Sequence, residues 1–277
     1  MAITDNPKPV TQRDPGTAMQ TVEPVKRVVV PNELLGPTEQ DAGMGVSFKQ
    51  EDQLLPLIYV LQNGSPVVDK RGDVYIEGAE PGHFWLRNSL EPIHDGREGI
   101  IAIPCEMTRT WIEWLPNRQG FVARHDTPPP DMETRTMRGD DGRERQALIR
   151  ASNGNMIQDT REFFLLVDGQ PFVLPCTSTK HTFARQWQTF FKQFRHPKTN
   201  DVMPAFSRKY RLTTIPASNA IGKWFGLKFQ DEGWVKKSEY EAAKALCLAV
   251  RKGERKAESP DAKHEESGTG DGAEIPF

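Results

Sequence analysis

Cysteine is scarce in this sequence, which contains three cysteines among 277 residues. Cys105, Cys176 and Cys247 lie far apart, and none of them belongs to a Cys-x-x-Cys pair. Their spacing therefore supports neither a disulfide framework nor a zinc site. A few scattered cysteines of this kind are typical of a protein that works in a reducing compartment.

Long apolar runs and targeting signals are also lacking. No stretch approaches the roughly 20 apolar residues that a membrane-spanning helix requires. The N-terminal sequence, MAITDNPKPVTQRDPG, has no apolar segment like that of a signal peptide. The sequence therefore predicts a cytoplasmic protein without a membrane partner.

The motifs of the common enzyme classes are missing as well, because the chain has no phosphate-binding Gly-x-x-x-x-Gly-Lys-Ser/Thr loop, no Gly-x-Ser-x-Gly and no His-Glu-x-x-His. The six histidines do not cluster along the sequence. We therefore expect no catalytic residue, no metal and no cofactor. One enzyme alternative stays open, since the adjacent acids Asp140 and Asp141 could serve a metal-dependent nuclease.

The net charge of -2 conceals an uneven distribution of charge along the chain. Residues 257–277 contain six acids and one lysine, so this segment carries -5 and residues 1–256 carry +3. Opposite charges on body and tail are typical of a body that binds a polyanion and a tail that binds partners. Acidic tails that only increase solubility are the alternative.

Local composition divides the chain into three parts. Residues 1–43 are poor in apolar side chains and predict a disordered N-terminal arm. Residues 44–253 predict the folded domain, within which the Pro-rich and charged stretch 126–160 predicts a long loop insertion. Residues 254–277 predict an acidic, disordered tail.

The folded part has the pattern of a mainly β protein with helices. At least five short strand-like stretches are bounded by turn residues, and strands do not alternate regularly with helices, which favours a small barrel. Asp168-Gly169 predicts a hairpin turn between two strands. The spacing of apolar residues predicts a helix over 181–195 and an amphipathic closing helix over 237–253.

The segment 176–229 is the strongest candidate for a binding surface. It contains ten basic residues and one acid, which gives a charge of +9, and aromatic residues alternate with the bases. A single nucleic-acid strand requires this combination, because cations contact its phosphates and exposed rings stack on its bases at about 1–3 kcal/mol each. Core packing is the alternative role of the rings, above all for those on the 181–194 helix. The DNA-binding candidates in this segment are Lys180, Arg185, Lys192, Arg208, Lys209, Tyr210, Arg211, Lys223, Trp224, Phe225 and Lys228.

The sequence RTWIEW (109–114) is a second candidate for DNA binding. On a strand, Arg109 and Trp111 face one way and Trp114 faces the other. One tryptophan is expected in the core and the other on the surface, and the sequence leaves open which is which. Arg109, Trp111 and Trp114 are therefore all candidates.

The chain ends in DGAEIPF (271–277), which places apolar residues behind a run of acids. An acidic, Gly-rich segment that ends in acid-Ile-Pro-Phe resembles the C-terminal tip of the bacterial single-stranded DNA-binding protein family. The resemblance implies that the tip docks on replication and repair enzymes, with the terminal Phe in an apolar pocket. Ala273 stands where another acid is common. The docking candidates are Asp271, Glu274, Ile275, Pro276 and Phe277.

Residues 43–125 are similar to a group of bacteriophage single-stranded DNA-binding proteins, through segments such as GMGVSFKQEDQLLPLIYVLQNGSP and WIEW. This resemblance implies an OB-fold, a five-stranded barrel, in a non-catalytic protein that protects single strands during phage replication, recombination or repair. Self-association on DNA is compatible with it. The alternatives are a strand-annealing protein that uses the same surface and a nuclease built on the acids of 126–160.

Overall fold

The computed structural model describes residues 41, 54–138, 144–218 and 222–260. The elements of these ranges belong to one unit of the chain, Phe48–Phe277. Two α-helices, α1 (Lys180–Phe191) and α2 (Lys237–Arg251), accompany the strands. The strands are β1 (Leu54–Leu55), β2 (Ile58–Val60), β3 (Phe84–Leu86), β4 (Ile93–His94), β5 (Ile100–Trp114), β6 (Phe121–His125), β7 (Met132–Arg138), β8 (Glu144–Arg150), β9 (Met156–Val167), β10 (Gln170–Thr177), β11 (Arg208–Ser218), β12 (Lys223–Trp234) and β13 (Lys256–Ala257). The expectation of a mainly β protein with helices is confirmed.

The largest sheet has eight strands and is organised around the long strand β5. Strand β9 runs antiparallel along most of one edge of β5, and β11 and β6 share the other edge, at opposite ends of β5. The path continues from β9 through β8 to β7 and from β11 to β12, while β10 forms a hairpin with β9. At the hairpin turn, Asp168 and Gly169 both have positive φ, as the sequence predicted.

Two smaller sheets complete the fold. Strands β2, β3 and β4 form an antiparallel sheet, and β1 pairs in parallel with β13. Gly96 allows the small antiparallel sheet to approach β11, because an added Cβ would overlap the hydroxyl of Thr214 in β11 as well as the carbonyl of Gly82. Thr214 of β11 fixes this approach, since its hydroxyl donates to the Gly82 carbonyl at 2.6 Å and its amide to the Gly96 carbonyl at 2.8 Å.

The pairings of the described strands do not form a closed ring. The path of the large sheet starts at β12 and ends at β7, and no described pairing joins these two strands. The expected five-stranded OB-fold barrel is therefore not confirmed.

The stretch 126–160 is not the bare loop that its composition suggested. Strands β7 and β8 form an antiparallel ribbon within it, and β9 begins at Met156. Both strands of the ribbon carry many charged residues and much of β7 is exposed, so the apolar periodicity that marks a strand with a buried face is missing. The high density of charged residues in these two strands is the reason that the sequence predicted a loop here.

Apolar side chains fill both faces of the large sheet. On one face, Phe163, Leu165 and Val167 of β9 pack with α1 and with β2 and β3. On the other face, Phe164 and Leu166 pack with α2 and with the chain around β1. This double burial explains why β9 reads as the continuous apolar run FFLLV. No helix within the described ranges is long and apolar enough to span a membrane.

The predicted tail begins later than its composition indicated. Ala257 is 3% exposed within the core, and the amide of Glu258 donates to the carbonyl of Leu55 at 2.9 Å. Arg124 donates to the carbonyl oxygens of Ala257 and Glu258, at 2.7 and 3.0 Å. Residues 256–258 are therefore part of the folded domain, and the acidic segment beyond Pro260 lies outside the described residues.

Candidate nucleic-acid interface

Helix α1 positions the candidate interface by burying one face against the large sheet. Phe183, Ala184 and Trp187 are buried in the core, and Phe190 and Phe191 pack against it. Core packing therefore explains these rings, as their helical spacing indicated. The opposite face of α1 is exposed and presents Arg185, and Lys192 follows directly after the helix.

Two of the predicted stacking residues lie in the core. Tyr210 is 1% exposed and packs edge-on against Trp187 at 5.5 Å, and burial raises the pKa of its hydroxyl. Trp114 is fully buried, and its indole Nε1 donates to Oε1 of Gln158 at 3.0 Å. Neither ring has a face that a base could reach, so their assignment to DNA binding is corrected. Alternation along the strand allowed either Trp111 or Trp114 to be the buried one, and it is Trp114.

The first half of the interface lies where the N-terminal end of α1 meets β5 and β9. Arg109 is exposed and donates from Nε and Nη2 to the two carboxylate oxygens of Asp159, at 2.9 and 2.7 Å. Its guanidinium lies over the half-buried ring of Trp111, 5.0 Å from the centroid. The ion pair and the ring together fix the direction of Arg109.

Arg161, Lys180 and Arg185 add further cations near this ion pair. We refer to Arg109, Trp111, Asp159, Arg161, Lys180 and Arg185 together as the Arg109 cluster. Arg161 lies opposite Arg109 in the pairing of β5 with β9. The ring of His181 donates to the carbonyl of Asp159 at 3.1 Å, which ties α1 to β9. Burial lowers the pKa of His181, and Arg161 and Arg185 contribute in the same direction. The cluster therefore holds four permanent cations and one carboxylate.

The second half of the interface is a stack of three side chains at the other end of α1. The guanidinium of Arg208 lies between two aromatic rings, 4.5 Å from the centroid of Phe194 and 4.4 Å from that of Trp234. Asp231 holds the guanidinium through an ion pair, with one hydrogen bond of 2.9 Å from Nε. Trp234 ends the stack and is 58% exposed. We call this arrangement the Trp234 stack.

Exposed bases accompany the Trp234 stack. Lys192 and Arg195 flank Phe194 in sequence and are exposed, as is Lys236, which follows Trp234 by two residues. The twelve residues of α1 separate this stack from the Arg109 cluster, a distance of about 18 Å along the helix axis. Cations therefore lie near both ends of α1, with the half-buried ring of Trp111 near one end and the exposed ring of Trp234 near the other.

The family comparison gives the origin of the chain. The profile of the Pam3 phage gp34-like protein family matches residues 29–256. The chain belongs to this family. No curated protein and no solved structure matches it. The expected bacteriophage origin of this gp34-like protein is confirmed, and because the match ends at residue 256, it does not extend into the acidic tail.

The remaining predicted residues of this gp34-like protein do not lie along α1. Lys209 and Arg211 alternate with the buried Tyr210, and Arg211 donates to Glu232 at 2.7 Å. By cross-strand pairing, Trp224 and Lys228 share the face of Arg211. Phe225 packs against the core, and Gln62 bonds both its amide and its carbonyl. Lys223 is exposed beside the undescribed residues 219–221.

Sequence reasoning missed Trp234. The basic segment it selected ends at Phe229, five residues before Trp234. The pairing of β11 with β12 brings Asp231 to Arg208 and Glu232 to Arg211. A useful signal was available, because opposite charges on two adjacent predicted strands indicate cross-strand pairs.

A buried polar network anchors the ribbon of β7 and β8. Glu113 is 2% exposed and accepts hydrogen bonds from Asn155 at 2.6 Å, His125 at 2.7 Å, Asn153 at 3.1 Å and Arg150 at 3.2 Å. Burial by itself would raise the pKa of Glu113, but these hydrogen bonds outweigh it and lower the pKa to about 2. The carboxylate therefore stays charged and fastens the base of the ribbon to β5.

Several predicted residues lie outside the described residues. Asp140 and Asp141, on which the nuclease alternative rests, are among them, as are the docking candidates Asp271, Glu274, Ile275, Pro276 and Phe277. Within the described part of the chain, no group of three or more His, Cys, Asp or Glu side chains could hold a metal ion.

Proposed function

We propose that this phage protein binds single-stranded DNA without sequence preference, along the exposed face of α1, and that it has no catalytic activity of its own. The observation that carries the proposal is the Trp234 stack, in which an exposed indole is supported from behind by a fixed guanidinium. A lone surface tryptophan can rotate away from a ligand, whereas this ring is held by its neighbours.

The chemistry of the surface favours a single strand over a duplex. An unpaired base offers a face to an exposed ring, and base stacking of this kind tolerates every base because each has a π-face. A duplex hides those faces within its stacked pairs. The cations at both ends of α1 supply phosphate contacts, which carry no sequence information.

The narrower features of the proposal rest on the resemblances. The OB-fold is supported by the core enclosed between the small antiparallel sheet, the large sheet and α1. Docking of host replication or repair enzymes on the C-terminal tip is supported by its acid-Ile-Pro-Phe ending. A role in phage replication, recombination or repair in the host cytoplasm follows from these two features together.

A gel assay with end-labelled oligonucleotides tests the proposal. The full chain should retard a single-stranded oligonucleotide, bind the matched duplex more weakly and protect the single strand from added nuclease. Faster pairing of two complementary strands would instead identify an annealing protein, and magnesium-dependent shortening of the label would identify a nuclease. Equal retardation of single strand and duplex would contradict stacking and leave a general polyanion-binding surface.

A further inference from the structure

An open cleft of about 710 Å³ lies beside β5, where Thr108, Arg109 and Thr110 contribute to its lining. Its wall includes Thr108 and Thr110 of β5, Arg124 of β6 and the ring of Phe121. The chain that follows α2 forms its rim with Arg255 and Lys256. This volume lies within the range of small-molecule sites, about 300–1,000 Å³.

Three buried polar atoms of this wall have no hydrogen-bond partner among the described residues: the hydroxyls of Thr108 and Thr110 and Nε of Arg124. The other two nitrogens of the Arg124 guanidinium do have partners, since they bind the carbonyls of Ala257 and Glu258 and the carboxylate of Glu162. In the described ranges, three of the five unpartnered buried side-chain atoms therefore belong to one cleft.

Folding alone does not favour threonine at these two positions. Thr110 is 4% exposed, and a buried hydroxyl without a partner destabilises the folded chain. Valine has the same shape, lacks the hydroxyl and is equally suited to a strand. Each hydroxyl is enclosed, and rotation about χ1 by about 120° moves it to another staggered position on Cβ. A ligand that offers hydrogen-bond partners would draw both hydroxyls towards the cleft.

The distribution of charge and rings indicates the kind of ligand. Once the two threonines rotate, the inner wall would offer hydroxyls beside aromatic carbon from Phe121 and Phe164, which suits the polar edge and flat face of a nucleobase. The lining also includes the bases Arg251, Arg255 and Lys256 and the acids Glu106, Asp126 and Glu162. Arg251 is paired with Glu106, and the bases together suit a phosphate. We propose that the cleft binds a nucleoside 5′-monophosphate unit, with its base against Thr108 and Thr110 and its phosphate at the rim. The cleft shares Arg109 with the Arg109 cluster, but the binding proposed here does not depend on the function proposed for the α1 surface.

Thermal shift and isothermal titration of the full chain test the site, with each of the four deoxynucleoside 5′-monophosphates as a probe and inorganic phosphate as a comparison. At least one nucleotide should bind and raise the melting temperature of the chain. Inorganic phosphate should bind more weakly and raise the melting temperature less. Thr110→Val should leave the melting temperature of the nucleotide-free chain unchanged or higher and weaken nucleotide binding about tenfold. Thr134→Val, on the exposed strand β7, is the matched control and should bind nucleotide as the wild type does.

Three results would overturn the site: no nucleotide binds at millimolar concentration, phosphate alone reproduces the effect, or Thr108→Val and Thr110→Val both bind nucleotide with wild-type affinity. A competing oligo(dT) identifies the source of the nucleotide. If oligo(dT) displaces the mononucleotide, and does so only when Thr110 is present, the cleft binds one nucleotide of a bound strand. If both bind at the same time, the cleft binds a free nucleotide. Mononucleotide binding by a chain that ignores oligonucleotides would support this site and contradict the proposed function.

Discussion

Replacing Trp234 with Ala should weaken single-stranded DNA binding while leaving the fold intact. Loss of one stacked base costs about 1–3 kcal/mol, which corresponds to a decrease in affinity of about 5- to 150-fold. The cost in folding stability should be small, because 58% of the residue is already exposed. Its main internal contact is the cation–π pair with Arg208, which is worth about 0.5–1 kcal/mol at an exposed site. Arg208 keeps Phe194 and Asp231 in the variant, so its charge remains in place.

Fluorescence anisotropy of a labelled oligo(dT) measures this affinity without relying on the tryptophan signal that the substitution removes. Trp234→Phe is the conservative variant and should restore most of the binding. Trp114→Ala is the contrasting variant: this ring is fully buried, so its loss should destabilise the fold by about 3–5 kcal/mol and leave the affinity per folded molecule unchanged. The reasoning is refuted if Trp234→Ala binds oligo(dT) like the wild type, or if its only defect is a lower melting temperature.

Three further predictions concern charged residues and the C-terminal tip. Substitution of both Arg185 and Lys192 by Glu should make the plot of log affinity against log salt shallower, by about 0.7 per lost phosphate contact. The control Lys244→Glu, on α2, should leave the slope unchanged. Equal slopes in the wild type and both variants would remove α1 from the interface. Glu113→Gln should make the free energy of unfolding, measured in urea, less sensitive to acid. The pKa of Glu113 is about 2 in the folded chain against an ordinary 4.5. Its contribution of about 3 kcal/mol to the free energy of unfolding is therefore present above pH 4.5 and is lost as the pH falls towards 2. A variant with the wild-type pH profile would contradict this. Deletion of Phe277 should abolish pull-down of host replication or repair enzymes while DNA binding persists, and undiminished pull-down would exclude the tip as the docking element.

The sequence predicted those parts of the fold in which local pattern and tertiary packing agree. The helical spacing of Phe183, Trp187 and Phe191 corresponds to the apolar face of α1, and Asp168-Gly169 forms the turn between β9 and β10. The ribbon of β7 and β8 could not be predicted in this way, because most of its residues are polar or charged and show no regular apolar alternation. Whether a sheet closes into a barrel depends on pairings between strands that are distant in sequence, and the local periodicity of apolar residues does not reveal these pairings.

The candidate interface was predicted less completely than the fold. Composition located the basic and aromatic region, but it could not separate the buried ring of Tyr210 from accessible rings, because burial is decided by the partner element. Trp234 lies beyond the basic segment, and only the pairing of β11 with β12 brings Trp234 and Asp231 to Arg208. Charge counted along a sequence overlooks pairs that form across strands.

The pairing of β1 with β13 has a consequence for synthesis of the protein. Leu54 and Leu55 lie beside Lys256 and Ala257, so the first and last strands of the described domain meet across about two hundred intervening residues. A chain that emerges from the ribosome from its N-terminus cannot form this pairing, or the bonds from Arg124 to residues 257 and 258, until almost the whole domain has been made. Completion of the fold is therefore expected to follow translation, and a chain that ends at residue 253 would lack its last strand.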